Sequence, residues 1–269
     1  MSPMRRMVTT SFRFLLAVIG LSVVSASAQA QPPGFPFNPT HYWTYQMEPN
    51  QPLTQPIFVR DQFFRNGVPV TVDRRERLLN WVGKNNSPVL DTLIHYTWWN
   101  ILEKLPVNRR VLVTNQFGSF PVTVLNLEFL LAPAFKFGNP TGLPGGPLAN
   151  HYLCYRATGF PAPAASFDLR DEWRVDIQNP GPMEFLCAPC AKQHLGQTFA
   201  VLDTVTHLAA YPVTPQSESF SPLITDQFVS RFELVHQLPI EYLFVPGEKT
   251  DLPVDVKRST WGRVKQLYR

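Results

Sequence analysis

Four histidines recur at nearly even intervals, His41, His95, His151 and His207, spaced by 54, 56 and 56 residues. Four imidazoles brought together would make a transition-metal site. Cys187-Ala188-Pro189-Cys190 is a Cys-x-x-Cys. That spacing serves a redox dithiol when it opens a helix, and half a zinc site when two more donors approach. Cys154 and His194 are of the right types to complete a zinc set with Cys187 and Cys190. Asp61, Asn115, Asp171 and Asp226 recur as well, as do Lys84, Lys136, Lys192 and Lys249, and offer ion-pair or acid–base chemistry.

These residues are landmarks of one repeated unit. It opens with His-x-x-x-aromatic, passes through Asp-Gln-Phe or a near variant, and closes on an apolar run ending in lysine. The middle motif is Asp61-Gln62-Phe63, Asn115-Gln116-Phe117, Asp171-Glu172-Trp173 and Asp226-Gln227-Phe228. The distance from His to Asp/Asn is 20, 20, 20 and 19 residues, and from His to Lys 43, 41, 41 and 42. Val89-Leu90-Asp91-Thr92 and Val201-Leu202-Asp203-Thr204 precede only the second and fourth histidines. Copies two and four are therefore alike, and the larger period is 110 to 112 residues.

A residue present in every copy belongs to the architecture of the unit, whereas a catalytic group is needed once. The histidines thus read as strand-edge groups bonded to backbone or carboxylate, since only a closed ring would gather all four. The Asp/Asn series reads as turn residues that accept backbone N–H bonds. The lysines pair with these across the repeat or face water. No Ser-His-Asp grouping stands out, and Gly142-Leu143-Pro144-Gly145-Gly146 lacks the strand-to-helix setting of a phosphate loop.

The repeat also bears on the three cysteines. The counterparts of Cys154 are Thr44, Trp98 and Ala210, and those of Cys187 are Leu79, Leu131 and Phe244. If the opening and closing strands touch, Cys154 and Cys187 meet in a core and form a disulfide. The alternatives are a local 187–190 bridge, a redox Cys-x-x-Cys, reduced thiols, and the zinc set of Cys154, Cys187, Cys190 and His194.

Residues 1–30 have the form of a signal peptide: Arg5 and Arg6, an apolar stretch from Phe14 to Val24, and Ala28-Gln29-Ala30 before Gln31. No later apolar run reaches the length of a membrane span. Without the leader the chain carries 21 basic against 20 acidic residues, and 31–249 carries 16 against 18. That balance excludes a basic nucleic-acid groove. Alternating runs such as Val68-x-Val70-x-Val72, with 27 prolines and few charges, favour short strands joined by turns.

The expected fold is therefore all-β: four tandem repeats of about 55 residues, with roughly four strands each, in two antiparallel β modules. A Pro-rich linker covers 31–40. Module one covers 41–136, with repeats at 41–84 and 89–136. A Gly/Pro linker covers 137–150. Module two covers 151–249, with repeats at 151–192 and 201–249, and a basic tail with a short helix covers 250–269. A four-bladed propeller is the alternative, to be recognised by equal contact between all neighbouring copies, the first with the last included.

His151-Tyr152-Leu153-Cys154-Tyr155, the Asp-Gln-Phe motif and Leu186-Cys187-Ala188-Pro189-Cys190-Ala191-Lys192 together resemble a repeat of exported bacterial proteins catalogued as a domain of unknown function. The resemblance spans about 41 to 249. It implies export and the Cys154–Cys187 bond and carries no activity with it. The tail from Ser259 to Arg269 is similar to a C-terminal signature of secreted bacterial proteins, which implies sorting or anchoring. The functional expectation is an exported protein, periplasmic, cell-surface or extracellular, without cofactor or catalytic residue. It would bind a protein or glycan of the cell surface or space something from the envelope, with Trp98 and Trp99 as candidate exposed aromatics. The competing expectation is an exported hydrolase or a thiol- or metal-dependent protein with its site in the third repeat, at Cys190 and His194.

Overall fold

A computed structural model describes residues 40–47, 52–86, 89, 94–136, 149–216, 222–229, 233–234 and 237–252. The expected leader, nearly all of both linkers and the tail helix lie outside these residues. Copy one contributes β1 (His41–Met47), β2 (Gln55–Arg60) and β3 (Val68–Lys84). Copy two contributes β4 (His95–Ile101), β5 (Pro106–Asn115) and β6 (Gly118–Lys136). Copy three contributes β7 (His151–Thr158), β8 (Phe167–Arg170), β9 (Val175–Gln178), β10 (Phe185–His194) and β11 (Gln197–Phe199). Copy four contributes β12 (His207–Pro212), β13 (Leu223–Asp226), β14 (Glu233–Leu234) and β15 (Gln237–Asp251). The protein is all-β, as the alternation and proline content imply, with one large antiparallel sheet and no helix among the described residues.

The pairings close on themselves. The closing strands β3, β6, β10 and β15 each lie between their own opening strand and the opening strand of the next copy. In order, β1 pairs with β3, β3 with β4, β4 with β6, β6 with β7, β7 with β10, β10 with β12, β12 with β15, and β15 with β1. The result is an eight-stranded barrel with two strands from each copy. A barrel of this size is wide enough for side chains to fill its interior, and here they do. Tyr42, Tyr96, Tyr152 and Leu208 form one tier, and the tyrosine rings meet edge to face, with centroids 5.3 and 5.7 Å apart. Leu79, Trp98, Leu131, Cys154, Cys187, Ala210 and Phe244 continue the core, and Phe129 and Phe185 lie beyond.

The same strands are buried on their outer face. His-Tyr-Thr-Trp-Trp of β4 and His-Tyr-Leu-Cys-Tyr of β7 are buried at every position. Trp43, Tyr45, Trp99, Tyr155 and Tyr211 point outward into a second apolar layer under the arms, the hairpins that carry the Asp-Gln-Phe motif. The arms reach across the ring. Past the barrel, each closing strand takes a strand from the copy two places away: β3 takes β8 at Gly83 and Lys84, β6 takes β13 from Ala134, β10 takes β2 from Ala191, and β15 takes β5 from Gly247.

Pro133, Pro189 and Pro246 stand where the partner changes. In β6 the ladder with β7 ends at Leu131 and that with β13 begins at Ala134. A residue between two ladders loses nothing by lacking an N–H.

Two expectations need correction. The halves 41–136 and 151–249 are not separate sheets, because β6–β7 and β1–β15 join them. All neighbouring copies do touch, the first with the last included, but they close as a continuous hydrogen-bonded barrel, and the propeller alternative is not confirmed. The alternating run Val68-x-Val70-x-Val72 and the closing apolar run of copy one also merge into a single strand. β3 and β6 run for 17 and 19 residues and bend at register shifts between Val72 and Arg77 and between Val124 and Phe129. Copies one and two therefore hold three strands each, fewer and longer than the spacing of apolar runs suggests, while copies three and four hold five and four.

Cys154 and Cys187 form a disulfide inside the barrel, directly opposite each other on β7 and β10. Their counterparts in the other copies are also direct partners: Thr44 with Leu79, Trp98 with Leu131 and Ala210 with Phe244. The crosslink closes a loop with a sequence separation of 33. Such a bond stabilises by about 3–4 kcal/mol in the chain-entropy model. A Cys154→Ala/Cys187→Ala variant is expected to keep its far-ultraviolet circular dichroism and to unfold at lower denaturant. Unchanged stability in urea titration would contradict this.

Candidate functional site

The landmarks meet where the arms cross the barrel. The Asp or Asn of each arm lies at the turn, with one side-chain oxygen accepting backbone N–H bonds from residues two or three further on. Asp61 Oδ1 accepts from Phe63 and Phe64, both at 2.8 Å, and Asn115 Oδ1 from Phe117 at 2.8 Å. Asp171 Oδ1 accepts from Trp173 and Arg174, and Asp226 Oδ1 from Phe228 and Val229. In copy two this places the turn at Gln116 and Phe117, between β5 and β6.

The second side-chain polar atom reaches the fifth residue of the opening signature in the copy across the ring. Tyr155 donates its hydroxyl to Asp61 at 2.6 Å, Tyr45 to Asp171 at 2.5 Å, and Trp99 its indole N–H to Asp226 at 2.9 Å. Copy two reverses the polarity: the Asn115 amide donates to the Tyr211 oxygen at 2.8 Å. Burial pushes the Asp61 carboxyl above its ordinary range, against the hydroxyl and backbone bonds that favour its charge.

The middle residue of the motif bonds the histidine of the preceding copy. Gln116 meets His41 Nε2 at 2.6 Å, Gln227 meets His151 Nε2 at 2.6 Å, and Gln62 meets His207 Nε2 at 2.5 Å. Lys84 donates to Gln116 Oε1 at 2.5 Å, which turns the amide N–H toward His41. The Nδ1 of His207 lies 2.7 Å from the Val205 carbonyl, so its proton is on that nitrogen and Nε2 accepts. Copy three has Glu172 in place of glutamine, and it pairs with Lys136 of copy two. Each lysine also lies over the aromatic residue of the next copy's motif: Lys84 over Phe117 at 5.5 Å, Lys136 over Trp173 at 4.2 Å, Lys192 over Phe228 at 4.3 Å and Lys249 over Phe63 at 5.3 Å.

The landmarks are thus joints between copies. The histidines lie at the start of the opening strands, each beside a different arm, and do not converge on the axis. Burial is the main cause of their lowered pKa, helped by a neighbouring lysine: His95 and His151 fall to about 3 and His207 to about 4. Burial likewise brings Lys84 and Lys136 to about 8 and Lys192 to about 7. The lysines act with the motif of the next copy and not, as the spacing suggested, across their own repeat.

The chemical alternatives in the third repeat fare as follows. The disulfide takes Cys154 and Cys187 out of the zinc set, and among the described residues no three His, Cys, Asp or Glu side chains gather as a metal site. Cys190 lies in the outer apolar layer while Cys187 faces the barrel interior, so the two do not form a dithiol. The Cys190 thiol is buried and its pKa is pushed well up, so it is not poised as a thiolate. His194 packs against the Phe228 ring with centroids 5.1 Å apart. Trp98 and Trp99, expected as exposed aromatics, are buried at 5% and 1% exposure.

Residues 95–237 match a family model described as a repeat of unknown function, DUF7450. The chain belongs to this family. The match begins at the second landmark histidine and runs into the fourth copy, so it follows the repeat read from the sequence. Neither a curated protein nor a solved structure matches the chain.

Two predictions follow from the joints. Copy two shows that an amide can take the place of the carboxylate. Asp61→Asn is therefore expected to cost less than about 1 kcal/mol, and Asp61→Ala, which orphans the Tyr155 hydroxyl and two backbone N–H groups, about 2–4 kcal/mol. Equal losses in urea titration would contradict the joint. The second concerns pH. A histidine with lowered folded pKa stays neutral while its unfolded counterpart protonates below about 6.5, so stability falls with pH from there toward 3–4. The slope approaches about 1.4 kcal/mol per pH unit for each of the three residues. Asp61 opposes this as one group against three. Lysines with lowered folded pKa act on the alkaline side, where stability rises from about pH 7 toward the unfolded value near 10.5. Burial raises the pKa of the Cys190 thiol and of Tyr152, Tyr155, Tyr211 and Tyr242, so stability falls again once their unfolded counterparts ionise at about 9–10. Thermal unfolding across pH should therefore peak at about pH 9–10, and His151→Asn should flatten the acid limb. A maximum near pH 6 would contradict the assignment.

Proposed function

We propose that the chain is an exported, non-enzymatic protein of the cell envelope or extracellular space that serves as a rigid binding or spacing module. The observation that carries this reading is the use made of the recurring polar side chains: the Asp, Asn, Gln and Lys landmarks and three of the four histidines join one copy to another. No activated nucleophile stands beside a base at these positions, and the one free thiol is buried with a raised pKa. Export is supported by the form of residues 1–30 and by a disulfide, which persists in oxidising compartments. No helix among the described residues is long and apolar enough to cross a membrane. A closed barrel with its arms strapped across it resists local opening, which suits a module that presents a fixed surface. Expression of the full chain with a C-terminal tag in a diderm bacterium tests the reading. The expected product lies outside the cytoplasm, begins at Gln31 and has one blocked pair of thiols. Intact chain with its leader, retained in the cytoplasm, would overturn it.

A further inference from the structure

The four copies share their joints, so a ligand site should lie where one copy departs from the others. Three departures meet in one place. Trp81 stands where the other copies have Pro133, Pro189 and Pro246. Gly83 stands where they have Phe135, Ala191 and Glu248. Across the β3–β8 ladder, Asp168 replaces the apolar Phe58, Leu112 and Leu223. With Asn86 and Arg170 these residues line a pocket of about 260 Å³. The missing side chain at Gly83 leaves room beside the indole, which is half-buried and not sealed in the core. Asp168 is held by its backbone, which exchanges bonds with Asn85: Asn85 N–H to the Asp168 carbonyl at 2.7 Å, and Asp168 N–H to Asn85 Oδ1 at 3.0 Å. Its Oδ1 is shielded from solvent and has no hydrogen-bond partner among the described residues. An unmet buried acceptor is costly and is met when a donor arrives.

We propose that this pocket binds one pyranose ring of a neutral glycan. A flat indole face suits the C–H face of a sugar, the carboxylate of Asp168 accepts from ring hydroxyls, and Asn86 and Arg170 can donate. The volume fits one small ring and not a drug-sized ligand. Asp171 also lines the pocket, but its oxygens are taken by Trp173, Arg174, Tyr45 and Asn80. Of the groups left for a ligand, the Arg170 guanidinium opposes an organic cation and the Asp168 carboxylate an anion, so an uncharged polyol is the class both tolerate. The inference rests on the reading of the chain as a non-enzymatic binding module, and names its ligand class.

The test is saturation-transfer NMR, with tryptophan fluorescence, on the purified chain. The probes are glucose, galactose, mannose, N-acetylglucosamine and their β-linked disaccharides, with choline as the cationic comparison. At least one sugar should give transfer and quench fluorescence. Trp81→Pro and Asp168→Leu, which restore what other copies carry, should weaken binding roughly tenfold or more with an unchanged melting curve. Absence of transfer from every sugar, equal binding by both variants, or transfer from choline alone would overturn the proposal. Cleavage of a bound disaccharide, followed by chromatography, would support the pocket and overturn the non-enzymatic reading instead. Silence of the whole panel overturns the pocket and leaves that reading standing, since the reading rests on the joints between copies and on export.

Discussion

Eight strands buried on both faces set the terms for the rest of the molecule. A barrel with an apolar interior ordinarily turns a polar face to water, but here the outward face lies beneath the arms. The polar groups on that face are then driven to find partners inside protein, because an unpaired buried polar group costs more than a hydrogen bond returns. The Trp43 indole N–H, without one among the described residues, is an exception. The carboxylates and amides of the arm turns supply those partners: Asp61 to Tyr155, Asp171 to Tyr45, Asp226 to Trp99 and Asn115 to Tyr211. An arm cannot lift away without leaving both ends of such a bond unmet. The same requirement explains why the letters recur, since each copy presents the same outward groups to be satisfied.

The arrangement couples each copy to all the others. Neighbours share a barrel ladder, a His–Gln contact or a Lys–Glu pair, and a lysine over an aromatic ring. Opposite copies share a strand pairing and a turn-to-aromatic bond. Copy three shows how the scheme absorbs substitution. Where Glu172 replaces glutamine the charge of Lys136 is met directly. Polar joints of this kind specify register more than they add stability, because each must recover its own desolvation.

The repeat, the all-β class and the disulfide were legible because they rest on local periodicity and on equivalence between copies. Placing Thr44, Trp98 and Ala210 against Leu79, Leu131 and Phe244 required only that opening and closing strands touch. Ring closure was less legible. The Gly/Pro-rich segment at 137–150 reads as a boundary in composition, yet β6 and β7 on either side of it are paired. Nothing in the spacing of Asp61 or Gln116 says whether its partner lies in the same copy, the next or the one opposite. Trp98 and Trp99 illustrate the limit from the other side. Alternation along β4 suggests that one of the two faces water, but the arms bury both, Trp98 inside the barrel and Trp99 outside it. The pocket residues Trp81, Gly83 and Asp168 carried a signal, namely disagreement with their counterparts, which only the β3–β8 pairing brings to one point.

The pairing of β1 with β15 has a consequence for how the chain reaches this state. The first strand formed has its lateral partner some 200 residues away in Leu243 and Phe244, and β2 awaits Ala191 to Gln193. Such long sequence separations raise contact order and slow folding. A nascent chain released residue by residue cannot close the ring before the last closing strand has been synthesised. Until then β1 keeps an open edge, which is free to take up a strand of another chain.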